Sequence, residues 1–317
     1  MEAARCSRGH LRRHGHRHRA GLCLRAQHPQ GRPVVKPSLR SLTAHGVIGL
    51  ALVVFLFPFY WLVITAFKNE GENFRKPPTF WPSEVTLDNF RAAITGSGSY
   101  QGVSIESTSV LYGIRDSIIV AGCNTLLSVV LGLFAAYAIS RFRTGGQHLS
   151  FFILSNRFLP PIVFVVPMFI ILRTVGMLDT YIGLILVYLT FNLPFATWYL
   201  LAYMKDLPVE VEEAAMMDGC TRLGVVFRII MPLAAPGMAV TGLFCFVFAW
   251  NEYTLAFLLA GNDVTTLTVM LPQFAGSVEV LKGVVSAAAI LACIPAVFLA
   301  MAMQKFMAAS VTQGAYR

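Results

Sequence analysis

Residues 46–67 read GVIGLALVVFLFPFYWLVITAF, twenty-two residues without one charged side chain. As a helix rising 1.5 Å per residue, such a stretch is about 33 Å long, enough to cross a hydrocarbon core of about 30 Å. Five more stretches repeat the pattern: 117–140, 180–204 and 283–304 carry no charge, 148–172 is broken only by Arg157, and 234–260 only by Glu252. The chain is 56 % hydrophobic and 13 % charged, with a mean hydropathy of +0.64. Soluble domains carry about 25 % charged residues. A globular core cannot hide this much apolar surface, so the sequence predicts an all-α polytopic membrane protein with six transmembrane helices in one membrane domain, 46–317.

The formal net charge of +9 suggests a nucleic-acid binder until its placement is examined. Ten basic residues (Arg5, Arg8, Arg12, Arg13, Arg17, Arg19, Arg25, Arg32, Lys36 and Arg40) precede the first apolar run, against the single acid Glu2. Without them the charge is near zero, so no nucleic-acid partner is expected and the lipid bilayer is the surface to account for. Residues 1–45 read as a basic, disordered cytoplasmic tail, with no short apolar segment of the signal-peptide kind. Initiation at Val34 or Val35 would remove most of it, which an intact mass of the natively expressed protein distinguishes. His14, His16 and His18 belong to this tail. The six cysteines lie far from metal-ligand spacing and read as small hydrophobes, so no metal site is expected.

Lys and Arg concentrate in cytoplasmic loops. With the N-terminus inside, seventeen basic residues fall on the cytoplasmic side and seven outside, with Arg157 in the membrane. Arg141 and Arg143, in one short loop, support this orientation without the tail. Six spans then return the C-terminus to the cytoplasm. The first outer loop, 68–112, holds Pro77, Pro78, Pro82 and a Gly/Ser stretch, and reads as an irregular segment with a short helix beginning near Asn89 and Phe90.

The loop between the fourth and fifth spans, 205–232, is more patterned than a connector needs to be. It runs KDLPVEVEEAAMMDGCTRLGVVFRIIMP. Pro208 suits a first helical position, and Glu210, Glu212 and Glu213 sit near the positive end of the helix dipole. Gly219 suits a left-handed stop, Thr221 a second N-cap, and Pro232 the end of that second helix. The expected shape is a bent helix–turn–helix. Its five acids outnumber its bases on the inner face, which fits a basic partner surface.

In Glu213-Ala214-Ala215, three residues, Gly219, nine residues, Ile229, then Met231-Pro232, this loop resembles the EAA loop of ABC importer permeases. Methionine for leucine before the proline is the one departure, a volume-conserving change. The six spans, Phe80-Trp81-Pro82, Trp250-Asn251-Glu252-Tyr253 and the ending Gln313-Gly314-Ala315-Tyr316-Arg317 further resemble the carbohydrate-uptake permeases of the maltose-permease type. The resemblance implies a bacterial inner-membrane subunit that pairs with a second, different permease. It implies two ATPase subunits that hold ATP and Mg, and an external binding protein that delivers a sugar, polyol or glycoside. Glu213, Ala214, Ala215, Asp218, Gly219 and Pro232 are then the residues of ATPase coupling. This chain has no G-x-x-x-x-G-K-[ST] loop, so hydrolysis is expected of the partners and the chain is expected to bind no cofactor and to be no enzyme.

Arg157 and Glu252 each cost about 2.5–3.5 kcal/mol at mid-bilayer on insertion scales. They are expected either to line the solute path or to pair with each other or with backbone freed near Pro160, Pro161 and Pro194. Asn124, Asn192 and Asn251 offer hydrogen bonds to hydroxyl groups, or equally hold helices together. Trp250, with Phe191, Phe195, Trp198 and Phe248, could stack on a sugar face or pack in the core. A permease for another small solute would share the loop but not the Trp-Asn-Glu segment. An ion-driven secondary transporter would need inverted repeats or paired broken helices.

Overall fold

The computed structural model describes residues 39–100, 103–106, 109–142, 144–275 and 281–315. The basic tail up to residue 38, Arg143, and Tyr316 and Arg317 lie outside the described residues. Contacts divide the chain into Met1–Leu52 and Val53–Arg317. The first unit contributes the opening turns of α1 (Leu39–Phe67), where Thr43 and His45 to Leu52 are exposed.

The second unit holds everything else. The end of α1 leads to α2 (Glu70–Asn73) and α3 (Asp88–Thr95), then to a two-stranded antiparallel hairpin, β1 (Ser97–Tyr100) and β2 (Val103–Glu106), with Ser97 opposite Glu106. The short helix expected in the outer loop is present, starting one residue early. The hairpin was not legible in the Gly/Ser stretch and is the one exception to an all-α fold among the described residues. The Asn89 amide ties α3 back by donating to the carbonyls of Ala66 at 2.9 Å and Lys68 at 2.7 Å. Hydrogen bonds from Thr79 and Ser83 hold the Glu72 carboxyl below its usual range.

The membrane core begins with α4 (Val110–Phe142), followed by α5 (Gly146–Ser155), α6 (Pro161–Thr174) and α7 (Tyr181–Asp206). The loop 205–232 gives α8 (Glu210–Met217) and α9 (Arg222–Val225), and the chain returns as α10 (Met231–Trp250). It continues through α11 (Thr254–Leu259) and α12 (Leu267–Met270) to α13 (Lys282–Ala315). Among the described residues five helical runs are long and apolar enough to cross a membrane, or six if one bent pair counts as a span. α4 packs along both α7 and α10. Gly132 lets α4 and α7 approach closely, since a Cβ there would meet Ala196 Cβ at 2.9 Å.

Two expected spans differ from straight helices. In 148–172, Leu159 precedes a proline and is held extended, so the helix ends; Pro161 starts α6 from a first position that needs no donor. The two pieces meet at 94°. In 234–260, the helix stops at Trp250 and restarts at Thr254. The Glu252 carboxylate accepts the Leu255 N–H at 3.0 Å, while its carbonyl accepts from Thr268 at 2.9 Å and Tyr188 at 3.3 Å. One freed N–H and one freed carbonyl at the break are thereby satisfied inside the protein, as a bilayer demands.

Candidate functional site: a two-helix loop and a membrane cavity

The loop 205–232 is built locally as its residues require. Pro208 does not start the helix: it stands one residue before the N-cap, Val209, whose carbonyl accepts from Glu212 N–H at 2.9 Å. Its constraint falls on Leu207, extended at φ −83°, ψ 129°, which ends α7. At the other end of α8 the chain turns on Gly219, with φ +86°. Cys220 N–H reaches back to the Ala215 carbonyl and Gly219 N–H to that of Met216, both at 3.1 Å, which is the double bond of a Schellman stop. Thr221 Oγ1 then accepts Gly224 N–H at 3.2 Å and starts α9.

Pro232 does not end the second helix. Helix runs unbroken over Arg222–Trp250, because residues Val226–Ile230 form a π-turn and Met231 N–H bonds to the Val226 carbonyl. The wider turn makes room for a proline ring that would press on the carbonyl four residues earlier. Pro232 is exposed in the second position of α10.

The side chains of α8 divide by face. Glu210, Glu213, Ala214, Asp218 and Met217 are exposed, the last at 88 %. Ala215 instead turns inward, into an apolar cluster with Leu133, Tyr137, Leu200, Met204 and Ile230. Glu212 is also buried, and accepts a hydrogen bond from Arg141 Nε at 2.7 Å. The acids of the loop therefore have two roles that spacing alone did not separate.

The second feature lies where the two helix breaks face each other. A cavity of about 190 Å³ is lined by Arg157, Tyr188, Phe191, Asn192, Phe248 and Glu252, with Leu159, Pro161, Ala249 and Leu255. Arg157 is presented by the bend before Pro160 and Pro161, and Glu252 by the break after Trp250. The Arg157 guanidinium lies 4.0 Å from the centre of the Phe248 ring and 5.2 Å from that of Phe195. Its Nη1 donates to the Phe191 carbonyl at 3.1 Å. It forms no ion pair with Glu252, although both charges border one space.

Three of the six expected path residues, Arg157, Asn192 and Glu252, thus meet at one cavity. The other three do not. Asn124 is fully buried, donating to the Ile185 carbonyl at 3.1 Å and accepting from Asn192 at 2.6 Å. Asn192 also donates to the Cys245 carbonyl at 3.0 Å, so the pair joins α4, α7 and α10. Trp250 is buried and stacked on Phe246. Asn251 is exposed and bonds back to Val247 of its own helix at 2.8 Å. Sequence reasoning missed Tyr188. Its one signal was its place one helical turn before Asn192.

The family described as binding-protein-dependent transport system inner membrane component matches residues 128–313. The chain is 32 % identical over 268 residues to the sulfoquinovosyl glycerol transport system permease protein SmoH of Agrobacterium fabrum, covering 84 % of this chain and 90 % of the relative. It is 35 % identical over 276 residues to the trehalose transport system permease protein SugB of Mycobacterium tuberculosis, covering 86 % and 94 %. In fold it is similar to a chain of a bacterial ABC transporter involved in the import of the acidic polysaccharide alginate, with a TM-score of 0.64 and 21 % identity over 84 % of this chain and 95 % of that one.

Proposed function

The chain belongs to the family of binding-protein-dependent transport system inner membrane components, and from that premise we propose that it forms half of the translocation path of an ATP-driven sugar or glycoside importer. Its partners are a second, different permease, two ATPase subunits that hold ATP and Mg, and an external binding protein. The observation that carries this reading is the α8–α9 unit. A short helix, stopped at a fixed angle by Gly219, presents Glu213, Ala214 and Asp218 to the cytoplasm. Glu213 supplies charge-assisted acceptors for a basic cleft on an ATPase subunit.

The cavity is the chain's share of the solute path. At about 190 Å³ it is smaller than the roughly 300–1,000 Å³ of complete ligand sites, which fits a space finished by a second subunit. One guanidinium, one carboxylate, one amide and two phenyl rings line it. Donors and acceptors of both kinds with no net charge suit a neutral polyhydroxyl compound. The deciding experiment is reconstitution with the ATPase subunits and the second permease. The isolated chain is expected to hydrolyse no ATP, and the assembly to hydrolyse faster with loaded binding protein. Robust hydrolysis by the chain alone would reject the assignment.

The proposed orientation places both termini in the cytoplasm, with α2, α3 and the hairpin outside. In a background free of native cysteines, Val85→Cys is expected to react with an impermeant maleimide in intact cells, and Lys205→Cys only after permeabilisation. Reaction at position 205 in intact cells would reverse the topology.

A further inference from the structure

Coupling through 205–232 explains how an ATPase subunit is engaged, but not which span takes up the movement. The loop is covalently continuous with α7 and with the run leading into α10. Both carry elements that weaken the backbone hydrogen-bond ladder. α7 contains Pro194, and the other run contains a π-turn, Pro232 and Pro236. Such helices bend at the position where a backbone bond is missing. α1, α6 and α13 also contain a proline, whereas α4 has none in 33 residues, a rod of about 50 Å at 1.5 Å per residue.

The cytoplasmic end of α4 holds the loop by side chains. Arg141 Nε donates to Glu212 Oε1 at 2.7 Å, Nη2 lies in an ion pair with the same oxygen at 2.5 Å, and Nη2 donates to the Leu207 carbonyl at 3.2 Å. One guanidinium therefore joins α4, the end of α7 and α8. Tyr137, one turn earlier on α4, lies beside the same carboxylate. The ring of Phe142 lies under the Arg222 guanidinium of α9, 5.0 Å from its centre. The Arg141 and Glu212 side chains are only 11 % and 3 % exposed, which leaves Glu212 out of reach of a docking partner. Burying such a pair is a poor route to stability, and its value lies in fixing geometry.

The other end of α4 is tied as firmly. Asp116 accepts from Tyr181 Oη at 2.8 Å and from Thr265 N–H at 3.1 Å, and Ser117 Oγ accepts Leu267 N–H at 2.8 Å. The outer segment leading into α12 thus hangs on the same rod.

We propose that Arg141 and Glu212 form the joint through which the coupling helix moves α4, and that α4 carries this movement across the membrane to the outer segment at Thr265–Leu267. The proposal rests on the coupling reading of α8, and Glu213→Ala tests that reading separately. The experiment uses the whole assembly in vesicles with a single cysteine at Leu111, exposed near the outer end of α4. The rate of modification by an impermeant maleimide is measured without nucleotide and after trapping with ADP and vanadate. The rate is expected to differ between the two states in the parent. Arg141→Gln and Glu212→Gln are expected to keep the ATPase subunits and trap vanadate but lose that difference. The exchanged pair, Arg141→Glu with Glu212→Arg, is expected to regain it. Persistence of the difference in both single variants would overturn the joint. So would its absence in the parent, failure of the exchanged pair to regain it, or loss of the ATPase subunits from the single variants, which would make the pair a brace for the docking surface. If Glu213→Ala keeps its ATPase subunits, it is the coupling reading that fails.

Discussion

Gly219→Val is expected to abolish productive coupling while leaving the membrane domain folded and paired with the second permease. The backbone at Gly219 has φ +86°, and a Cβ built there meets nothing within 4 Å. The damage is therefore conformational, not steric. A β-branched residue in that region costs about 1–3 kcal/mol. The chain escapes the cost by giving up the two backbone bonds that stop α8, so the helix meets α9 at another angle. Gly219→Asn is the control, since asparagine tolerates the left-handed region and should transport nearly as the parent does. Glu213→Ala reaches the same end by another route. It leaves α8 in place but removes an exposed acceptor whose charge-assisted hydrogen bonds are worth about 1.5–3 kcal/mol each. Co-purification of the ATPase subunits and sugar uptake in vesicles are the measurements. Parent-level uptake in both Gly219→Val and Glu213→Ala would remove the loop as the coupling element.

Local rules made this loop legible. A helix stop needs a left-handed residue and an N-cap needs a short hydroxyl, so Gly219 and Thr221 could be placed from type and spacing. Pro232 was misplaced for a related reason. Local rules read a proline as the end of a helix, but a π-turn, which has no sequence signature of its own, carries the helix past it. The two broken spans show the same limit at larger scale. Hydropathy counts apolar residues and cannot distinguish a straight span from one bent at Leu159 or interrupted at Asn251. The information lay in Pro160-Pro161 and in the polar Asn251-Glu252 pair. Spacing also could not tell Glu212 from Glu213. Adjacent residues on a helix point about 100° apart, so one carboxylate faces Arg141 and the other solvent, and only the position of α4 decides which. Asn124 and Asn192 posed the converse problem. An amide at membrane depth suits a sugar or a neighbouring helix equally well, and packing assigned Asn124 to the joint of α4, α7 and α10 alone, while Asn192 serves that joint and also lines the cavity.

Arg157 and Glu252 offer the sharpest test of the cavity as a path. Arg157→Met keeps most of the side-chain length but removes every donor. Loss of one charge-assisted bond to a sugar hydroxyl corresponds to roughly a ten- to hundredfold loss in apparent affinity. Glu252→Gln keeps an oxygen that can accept the Leu255 N–H, so the restart of α11 survives while the charge goes. Each single variant also leaves the opposite charge alone in a half-buried space, a penalty the parent does not carry. Removing both charges lifts that penalty. Arg157→Met with Glu252→Gln is therefore expected to be less impaired than the two losses combined predict, with an interaction of about 0.5–3 kcal/mol in a double-mutant cycle on uptake. Retention of the second permease and the ATPase subunits in all three variants shows that the loss is one of passage, not of assembly. A purely structural pair would disturb that retention or the yield of folded protein. Parent-level uptake in both single variants would mean that the solute does not pass this cavity. Strictly additive losses would mean that the two side chains meet it independently.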